Sequence, residues 1–206
     1  MTPGLRERKK QQTRKRITEV AVRLFAERGF DNVPVTEVAR AADVSEATVF
    51  NYFPSKEDLV YQGMAAYENT LLDAVRDRPA GTSVLDAFRD VLLRPGGALT
   101  DGEPVAMDRI ATVATIIASS PTLQARELRM HDRHTTELAE LIAGDTTEIE
   151  AWVVANALMG VQRAMKNAVH RQAQAGHDRQ HIVRDVVVQA RKALEVLEQG
   201  LAGYAT

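Results

Sequence analysis

A cluster of basic side chains at the start of the chain is the first feature that could do chemistry. Residues 1–16 carry seven of them against Glu7 alone: Arg6, Arg8, Lys9, Lys10, Arg14, Lys15 and Arg16. This density of positive charge attracts polyanions, so the cluster could contact nucleic acid or an anionic membrane surface. A solvated, mobile tail accounts for the same charges, and charge alone leaves these interpretations open.

The histidines offer two pairs with the spacing of metal ligands. His177 and His181 are four residues apart and His131 and His134 are three apart, which places two imidazoles on one helix face. No third ligand is evident, so we expect solvated pairs and no bound metal. The chain has no cysteine, which excludes disulfides and thiolate chemistry. With no Gly-rich phosphate loop and no nucleophile–base pairing, we expect neither an enzyme nor a cofactor.

The elements that must position these residues are predicted to be helices throughout. Apolar residues recur at helical spacing between glycine and proline breaks, and no alternating β pattern is present. We therefore expect an all-α protein of nine helices, at about residues 12–28, 36–42, 45–52, 55–78, 82–94, 104–119, 122–143, 146–175 and 178–202. A small N-terminal domain is predicted at 1–54 and a larger one at 55–206.

Length and composition fit a folded protein of one or two domains. The chain has 206 residues, of which 45% are hydrophobic and 26% charged. Its most apolar stretch, IATVATIIA at residues 110–118, is far shorter than the roughly 20 residues of a membrane-spanning helix. The start of the chain has no apolar segment typical of a signal peptide. We therefore expect a cytoplasmic protein that is not bound to a membrane.

The second and third predicted helices have the layout of a helix-turn-helix. They are short and are joined by Ala42-Asp43-Val44. In such motifs the first helix braces the second, which enters the major groove of DNA. Two short helices are also common in bundles that bind no DNA, so the layout by itself leaves both functions open.

The residues from Arg14 to about Leu59 resemble the TetR family of transcriptional regulators. The resemblance rests on a basic start, then ITEVAVRLFAERGFDNV, then VTEVARAADVSEATVFNYFPSKEDLV. It implies an N-terminal DNA-binding domain and a helical C-terminal domain that binds an effector and dimerises. It further implies a homodimeric repressor that a small molecule releases from a palindromic operator. The alternative is an all-α small-molecule-binding protein or enzyme that does not use its N-terminal domain for DNA.

The resemblance assigns DNA contacts to particular residues, with residues 44–52 as the recognition helix. Base-facing positions are Ser45, Glu46, Ala47, Phe50 and Asn51, of which Ser45 is also a candidate N-cap. Phosphate-contacting positions are Thr48, Tyr52 and Lys56, and Thr36 is a further contact to a phosphate or to the groove edge. The basic arm, with Arg14 and Lys15, is expected along the DNA backbone or in the minor groove. Inside the motif, the expected core residues are Val38, Ala39, Val44, Val49 and Phe53.

Three residues depart from the common family pattern. Pro34 stands where a threonine is usual, so the contact of that hydroxyl is missing. Asp43 replaces the usual turn glycine, and the turn should survive because aspartate tolerates the left-handed conformation better than most residues. Phe50 replaces a tyrosine and so lacks its hydroxyl.

The C-terminal domain is expected to supply both the dimer interface and the effector pocket. The predicted interface residues on the last helix are Val183, Val186, Val187, Ala190, Leu194 and Leu197. The predicted pocket residues are Met64, Tyr67, Met107, Ile110, Val113, Ile117, Trp152, Asn156 and Met159. For each set, burial within the core of one protomer is the alternative.

Overall fold

The computed structural model describes residues 4–94, 99, 105–144 and 146–200. Over these ranges the chain forms nine α-helices: α1 (Leu5–Arg28), α2 (Val35–Ala41), α3 (Glu46–Tyr52), α4 (Asp58–Arg76), α5 (Val84–Leu92), α6 (Val105–Ser119), α7 (Pro121–Ile142), α8 (Glu148–Gln174) and α9 (Arg179–Gln199). The described ranges contain no strand, so the all-α prediction is confirmed. None of the described helices is long and apolar enough to cross a membrane.

Helix α1 begins at Leu5, well before the predicted start near Gln12. The intervening residues are mostly arginine, lysine, glutamate and glutamine, which are good helix formers. The amide of Arg8 already donates to the carbonyl of Gly4 at 3.0 Å. The basic cluster is therefore displayed on a helix, which corrects the expectation of an arm preceding the helical domain.

Helices α3 and α4 each begin at a side-chain cap. The Ser45 hydroxyl accepts the amide hydrogen of Thr48, which confirms Ser45 as N-cap of α3. Ser55 and Asp58 cap each other: the Ser55 amide donates to Asp58 Oδ2 at 2.9 Å, and the Asp58 amide donates to Ser55 Oγ at 3.3 Å. Because residues 55–57 form this turn, α4 begins at Asp58 and not at Ser55 as predicted.

The first of two compact units comprises residues 1–62 and 112–126. In it α2 packs against both α1 and α3. The rings of Phe25 and Phe30 meet edge to face with their centroids 5.0 Å apart. Buried side chains of this unit include Ile17, Ala21, Phe25, Phe30, Val33, Val38, Ala39, Val49, Phe53, Leu59 and Leu123. The expected core residues of the helix-turn-helix are among them, except Val44, which is half-buried.

Residues 112–126 join the first unit, although the sequence assigned them to the second domain. Their last eight residues, 119–126, comprise the end of α6, Ser120 and the start of α7, and we call them the α6–α7 corner. The buried hydroxyl of Tyr61 donates to the carbonyl of Leu123 at 2.8 Å. This contact joins residues 62 positions apart, which no local sequence pattern reveals.

The second unit comprises residues 63–111 and 127–206. Helices α8 and α9 pack along each other, and α5 packs against both. Its main core consists of Leu71, Leu72, Val75, Phe88, Leu92, Leu138, Ala139, Ile142, Ala151, Ala155, Leu158, Met159 and Leu194. A smaller cluster contains Val169, Ala173, Ile182 and Val186. Helix α8 starts with a capping box formed by Thr147 and Glu150.

The turn between α2 and α3 is strained at Asp43. This residue has a φ of 51°, the only positive φ of a non-glycine residue in the described ranges. A β-carbon in this conformation crowds the following carbonyl oxygen, at a cost of about 1–2 kcal/mol for most residues and less for aspartate. The prediction that Asp43 takes the place of a turn glycine is thereby confirmed.

We expect Asp43→Gly to raise the free energy of unfolding by about 0.5–1 kcal/mol, because glycine adopts positive φ without strain. Asp43→Val should lower it by about 1–2 kcal/mol, because a β-branched residue is a poor fit there. Urea denaturation followed by circular dichroism measures both, with Asp43→Asn as a near-neutral control. If the glycine and valine variants had the same free energy of unfolding, the backbone conformation at Asp43 would not contribute to stability.

Candidate nucleic-acid interface

Helix α3 has one buried side and one exposed side. Val49 is 1% exposed and faces the core of the first unit. The five predicted base-facing residues are all exposed: Ser45, Glu46, Ala47, Phe50 and Asn51. The structure thus brings these side chains together on one solvent-facing surface, which we call the reading face.

Phe50 stands out on the reading face because it is aromatic and 44% exposed. Single exposed apolar side chains are common on protein surfaces, so it is the position of Phe50 beside Glu46 and Asn51 that makes it a candidate contact. A phenyl ring can contact the methyl group of thymine, and the neighbouring Asn51 can bind adenine with two hydrogen bonds. Glu46 can accept a hydrogen bond from the amino group of cytosine. The reading face therefore offers both apolar and polar readout.

The hydroxyls of Ser45 and Thr48 are occupied with each other at the start of α3. They lie 2.7 Å apart, and Ser45 Oγ also accepts the Thr48 amide hydrogen at 3.1 Å. A hydroxyl retains further lone-pair capacity, so these contacts leave room for a DNA contact. Their observed role, however, is to cap the helix.

A surface cleft of about 670 Å³ lies between the start of α1 and the end of α3. It is lined by Gly4, Arg6, Glu7, Lys9, Lys10, Thr13 and Tyr52. The side chains of Arg6, Lys9 and Lys10 are exposed. The cleft therefore brings basic groups of α1 next to Tyr52, a predicted phosphate-contacting residue, which the sequence alone did not indicate.

Three other predicted DNA contacts are accessible at the surface of the first unit. Thr36 is exposed near the start of α2. The Arg14 guanidinium lies 5.5 Å from the centroid of the Phe53 ring, so it is partly held by the domain core. Lys15 lies 3.9 Å from Glu19 in a solvent-exposed pair, which contributes little to stability.

Lys56 is held by internal contacts that the sequence did not predict. Its ammonium group donates to the carbonyl of Phe30 at 2.6 Å and lies 4.3 Å from the centroid of the Phe30 ring and 5.7 Å from that of Phe25. Burial lowers the pKa of Lys56, and the carboxylates of Asp31 and Glu57 oppose that shift. The partner carbonyl is 26 residues away, so no spacing rule could have found it.

We expect Lys56→Met to lower the free energy of unfolding by about 1–2 kcal/mol, because a charge-assisted hydrogen bond and a cation–π contact are lost while the apolar stem remains. Lys15→Met is the matched control and should change stability by less than about 0.5 kcal/mol. Chemical denaturation measures both. A null effect at Lys56 would mean that its internal contacts do not stabilise the first unit.

The predicted effector-pocket residues do not gather at one place. Tyr67 and Met159 belong to the main core of the second unit, and Met107 and Ile110 pack against its smaller cluster. Val113 and Ile117 are part of the first unit. Trp152 and Asn156 are exposed on α8. The side chain of Met64 lies outside the described part of the structure.

A buried polar cluster in the second unit was missed by the sequence analysis. Glu68, His134 and Gln162 are 6%, 1% and 4% exposed and come from α4, α7 and α8. His134 Nδ1 lies 2.9 Å from Glu68 Oε2, in an orientation that leaves neither atom a well-directed hydrogen bond. Gln162 Nε2 lies 3.5 Å from Glu68 Oε1. An apolar spacing rule cannot find such a cluster, because its members occupy core positions with polar side chains.

The charges around this cluster favour an ionised Glu68. Burial alone would raise the pKa of Glu68, but the adjacent His134, with Lys166 and His131, holds the pKa below its usual value. Burial lowers the pKa of His131 and of His170, and neighbouring cationic side chains lower it further.

No group of three potential metal ligands occurs among the described residues. His177 and His181 stack with their ring centroids 4.4 Å apart.

Half of the predicted dimer residues are inside the protomer. Val186, Ala190 and Leu194 are 2%, 4% and 0% exposed, so they pack inside the protomer, as the alternative of core burial predicts. Val183, Val187 and Leu197 are half-buried. Among the described residues of the second unit, the large exposed apolar side chains lie mainly on α8, with Leu128 on α7 and Val188 on α9; those on α8 are Ile149, Trp152, Val153 and Val154. The predicted helical period of α9 agrees with its buried stripe, which contains three of the six residues predicted for the interface.

The fold and the reading face together define an all-α protein of the helix-turn-helix class. The sequence profile described as "Bacterial regulatory proteins, tetR family" matches residues 17–62. The transcriptional regulator TcmR of Streptomyces glaucescens is 32% identical over 68% of this chain and 63% of its own length, so the match spans less than two thirds of TcmR. Residues 17–62 therefore match the TetR family of bacterial regulatory proteins, and the chain is similar to a regulator of this kind over 68% of its length.

Two solved structures share the fold at low sequence identity. NalD, a repressor of the MexAB-OprM multidrug efflux pump in Pseudomonas aeruginosa, superimposes with a TM-score of 0.55 and 18% identity, over 89% of this chain and 97% of NalD. FadR of Thermus thermophilus, a repressor solved in complex with lauroyl-CoA, gives 0.51 and 22%, over 94% and 97%. These structural similarities support the fold of the chain but assign no function to individual residues.

Proposed function

We propose that the protein is a homodimeric transcriptional repressor that binds a palindromic operator and is released by a small-molecule effector. The observation that carries this proposal is the reading face of α3, within the segment that matches the TetR profile. A short helix that exposes glutamate, asparagine and phenylalanine together suits insertion into the major groove.

Base readout falls to Glu46, Phe50 and Asn51, because these exposed side chains have the reach and chemistry to contact base edges. Ser45 and Ala47 complete the surface that meets the groove. Thr36, Thr48 and Tyr52 flank it and bind phosphates. The ammonium group of Lys56 retains N–H donors that can bind a phosphate. Its main role, however, is structural, because it donates a hydrogen bond to the Phe30 carbonyl inside the domain.

The basic start of α1 supplies additional phosphate contacts. Arg6, Lys9 and Lys10 line the cleft beside Tyr52 and are exposed on a helix. A phosphate bound there meets basic groups on a backbone that is already helical, so less backbone entropy is lost than with a disordered tail. Arg14 and Lys15 extend the same basic surface towards the domain core.

Dimerisation uses the exposed apolar surface of α8, together with Val188 of α9. Ile149 and Val153 are 78% and 63% exposed, and Trp152 lies beside them on the same helix. Burying such side chains against a second copy removes them from water. The half-buried Val183, Val187 and Leu197 border this surface as further candidates. Two-fold symmetry of the dimer requires a near-palindromic operator.

The effector binds in the second unit, near the buried polar cluster of Glu68, His134 and Gln162. A buried ionised carboxylate costs stability unless it is fully satisfied, and imperfectly bonded polar groups inside a domain suit a ligand's polar group. Tyr67 and Met159 offer apolar surface in this unit, as do Met107 and Ile110. FadR of Thermus thermophilus, with its lauroyl-CoA, is a relative in fold that accepts an amphiphilic ligand.

The DNA-binding proposal is tested by selecting duplexes from a random pool with the purified protein at physiological salt. We expect enrichment of a palindrome, and Asn51→Ala should then relax the choice of base at one position of each half-site. Lys10→Gln should weaken all duplexes alike and reduce the slope of log K against log salt by about one unit per lost phosphate contact.

Arg76→Gln serves as the matched control, because Arg76 is exposed on α4 and pairs with Asp73 on the surface. It should change neither base preference nor salt slope. Recovery of unordered sequences at every salt concentration would contradict the proposal and favour the alternative of a small-molecule-binding protein that does not use DNA.

The dimer interface is tested by Val153→Glu, which places an unpaired charge in the proposed contact. Such a charge costs about 2 kcal/mol or more, enough to weaken dimerisation about 30-fold. Light scattering after size-exclusion chromatography should show a monomer at micromolar concentration. Leu128→Glu is the control, because Leu128 is 53% exposed on α7, away from the α8 patch in sequence. A dimer that withstands Val153→Glu but not Leu128→Glu would move the interface to α7.

A further inference from the structure

The α6–α7 corner makes polar contacts at both ends of the helix-turn-helix. Ser120, which is 1% exposed, donates its hydroxyl to Asp31 Oδ2 at 2.9 Å, just before α2. Arg126 lies 3.1 Å from Asp58 Oδ1, just after α3. The corner therefore contacts the segment that precedes the helix-turn-helix and the segment that follows it.

Asp58 connects two structural roles through its two carboxylate oxygens. Oδ2 accepts hydrogen bonds from the amide and hydroxyl of Ser55 at 2.9 and 2.8 Å, which fixes the turn before α4. Oδ1 pairs with the guanidinium of Arg126. Because a carboxylate is rigid and planar, holding one oxygen orients the other. Arg126 thereby acts on the Ser55 turn without touching it.

The Ser55 turn follows directly on α3. Only Phe53 and Pro54 separate Tyr52, the last residue of α3, from Ser55. Phe53 is the C-cap of α3 and is 1% exposed, so a single residue, Pro54, lies between the packed end of the helix and the Ser55 turn. A change in the orientation of the Ser55 turn therefore changes the orientation of the reading face.

We propose that Arg126 is a positioning residue for DNA recognition: through Asp58 it sets the orientation of α3, and Ser120 does the same from the other end through Asp31. This inference rests on the proposed DNA-binding function. In this role Arg126 acts through Asp58 and not through a DNA contact of its own. The corner's three links to the helix-turn-helix unit, Ser120–Asp31, Leu123–Tyr61 and Arg126–Asp58, hold the motif from outside its own sequence.

The decisive experiment compares Arg126→Gln with wild type in operator affinity as a function of salt, using the palindrome that the wild type selects. We expect an affinity loss of about tenfold with the salt slope unchanged, because orientation is lost but no phosphate contact is. Lys10→Gln, in contrast, should change the slope. Arg129→Gln is the matched control, since Arg129 is exposed one turn further along α7, and it should retain wild-type affinity.

A double-mutant cycle with Asp58→Asn tests whether Arg126 acts through Asp58. The asparagine carbonyl can still accept from Ser55, so the cap persists while the ion pair is lost. We expect the double variant to bind no more weakly than Arg126→Gln alone. Additive losses would overturn the proposed route. Arg126→Lys should recover part of the affinity, because it restores the charge without the guanidinium geometry.

Hydrogen exchange of the full-length protein gives a readout that does not depend on DNA. Arg126→Gln should speed exchange of the α3 amides while those of α9 stay unchanged, and Ser120→Ala should do the same even if Arg126→Gln folds poorly. Unchanged exchange in α3, or a changed salt slope, overturns the inference. If the wild type selects no duplex, the proposed function is wrong. The hydrogen-exchange rates of the α3 amides then test by themselves whether the corner positions α3.

Discussion

The reading face depends on one constraint: a helix of seven residues cannot hold its own position. Helices this short are marginal in water, and α3 buries only Val49 within its own span. Its orientation must therefore come from outside. The Ser45 cap fixes its start, Phe53 anchors its end, and the strained turn at Asp43 sets its angle to α2. Each of these supports leaves the outer face of α3 free for solvent and DNA.

The same constraint explains why so many polar groups of the first unit are occupied internally. Lys56 is held against the Phe25 and Phe30 rings, and Asp58 joins the Ser55 turn to Arg126. These contacts connect segments far apart in the chain, so they stabilise the unit as a whole. A DNA-binding surface requires such rigidity, because side chains that are already ordered lose less entropy on binding.

The second unit has an apolar core, and it also contains a small cluster of buried polar side chains, which is unusual for a helical bundle. Glu68, His134 and Gln162 occupy positions where leucine or methionine would pack without a desolvation cost. It is near these residues that we propose the effector binds. The exposed patch on α8 is a second departure from an ordinary surface, and it sits on the helix that also contributes Met159 to the core. One face of α8 therefore builds the protomer while the opposite face is free for a partner.

The sequence by itself determined the helical fold, the helix-turn-helix, the Ser45 cap and the outward face of α3, because these follow from local periodicity and capping within a few residues. It could not distinguish the core-facing stripe of α9 from a partner-facing one, since both are apolar at the same spacing. Only the tertiary structure decided that Val186, Ala190 and Leu194 are internal, that Trp152 is exposed, that Lys56 binds the Phe30 carbonyl and that residues 112–126 join the first unit. Each of these outcomes depends on which distant segments pack together, and that is settled by the shape and charge of the whole domain.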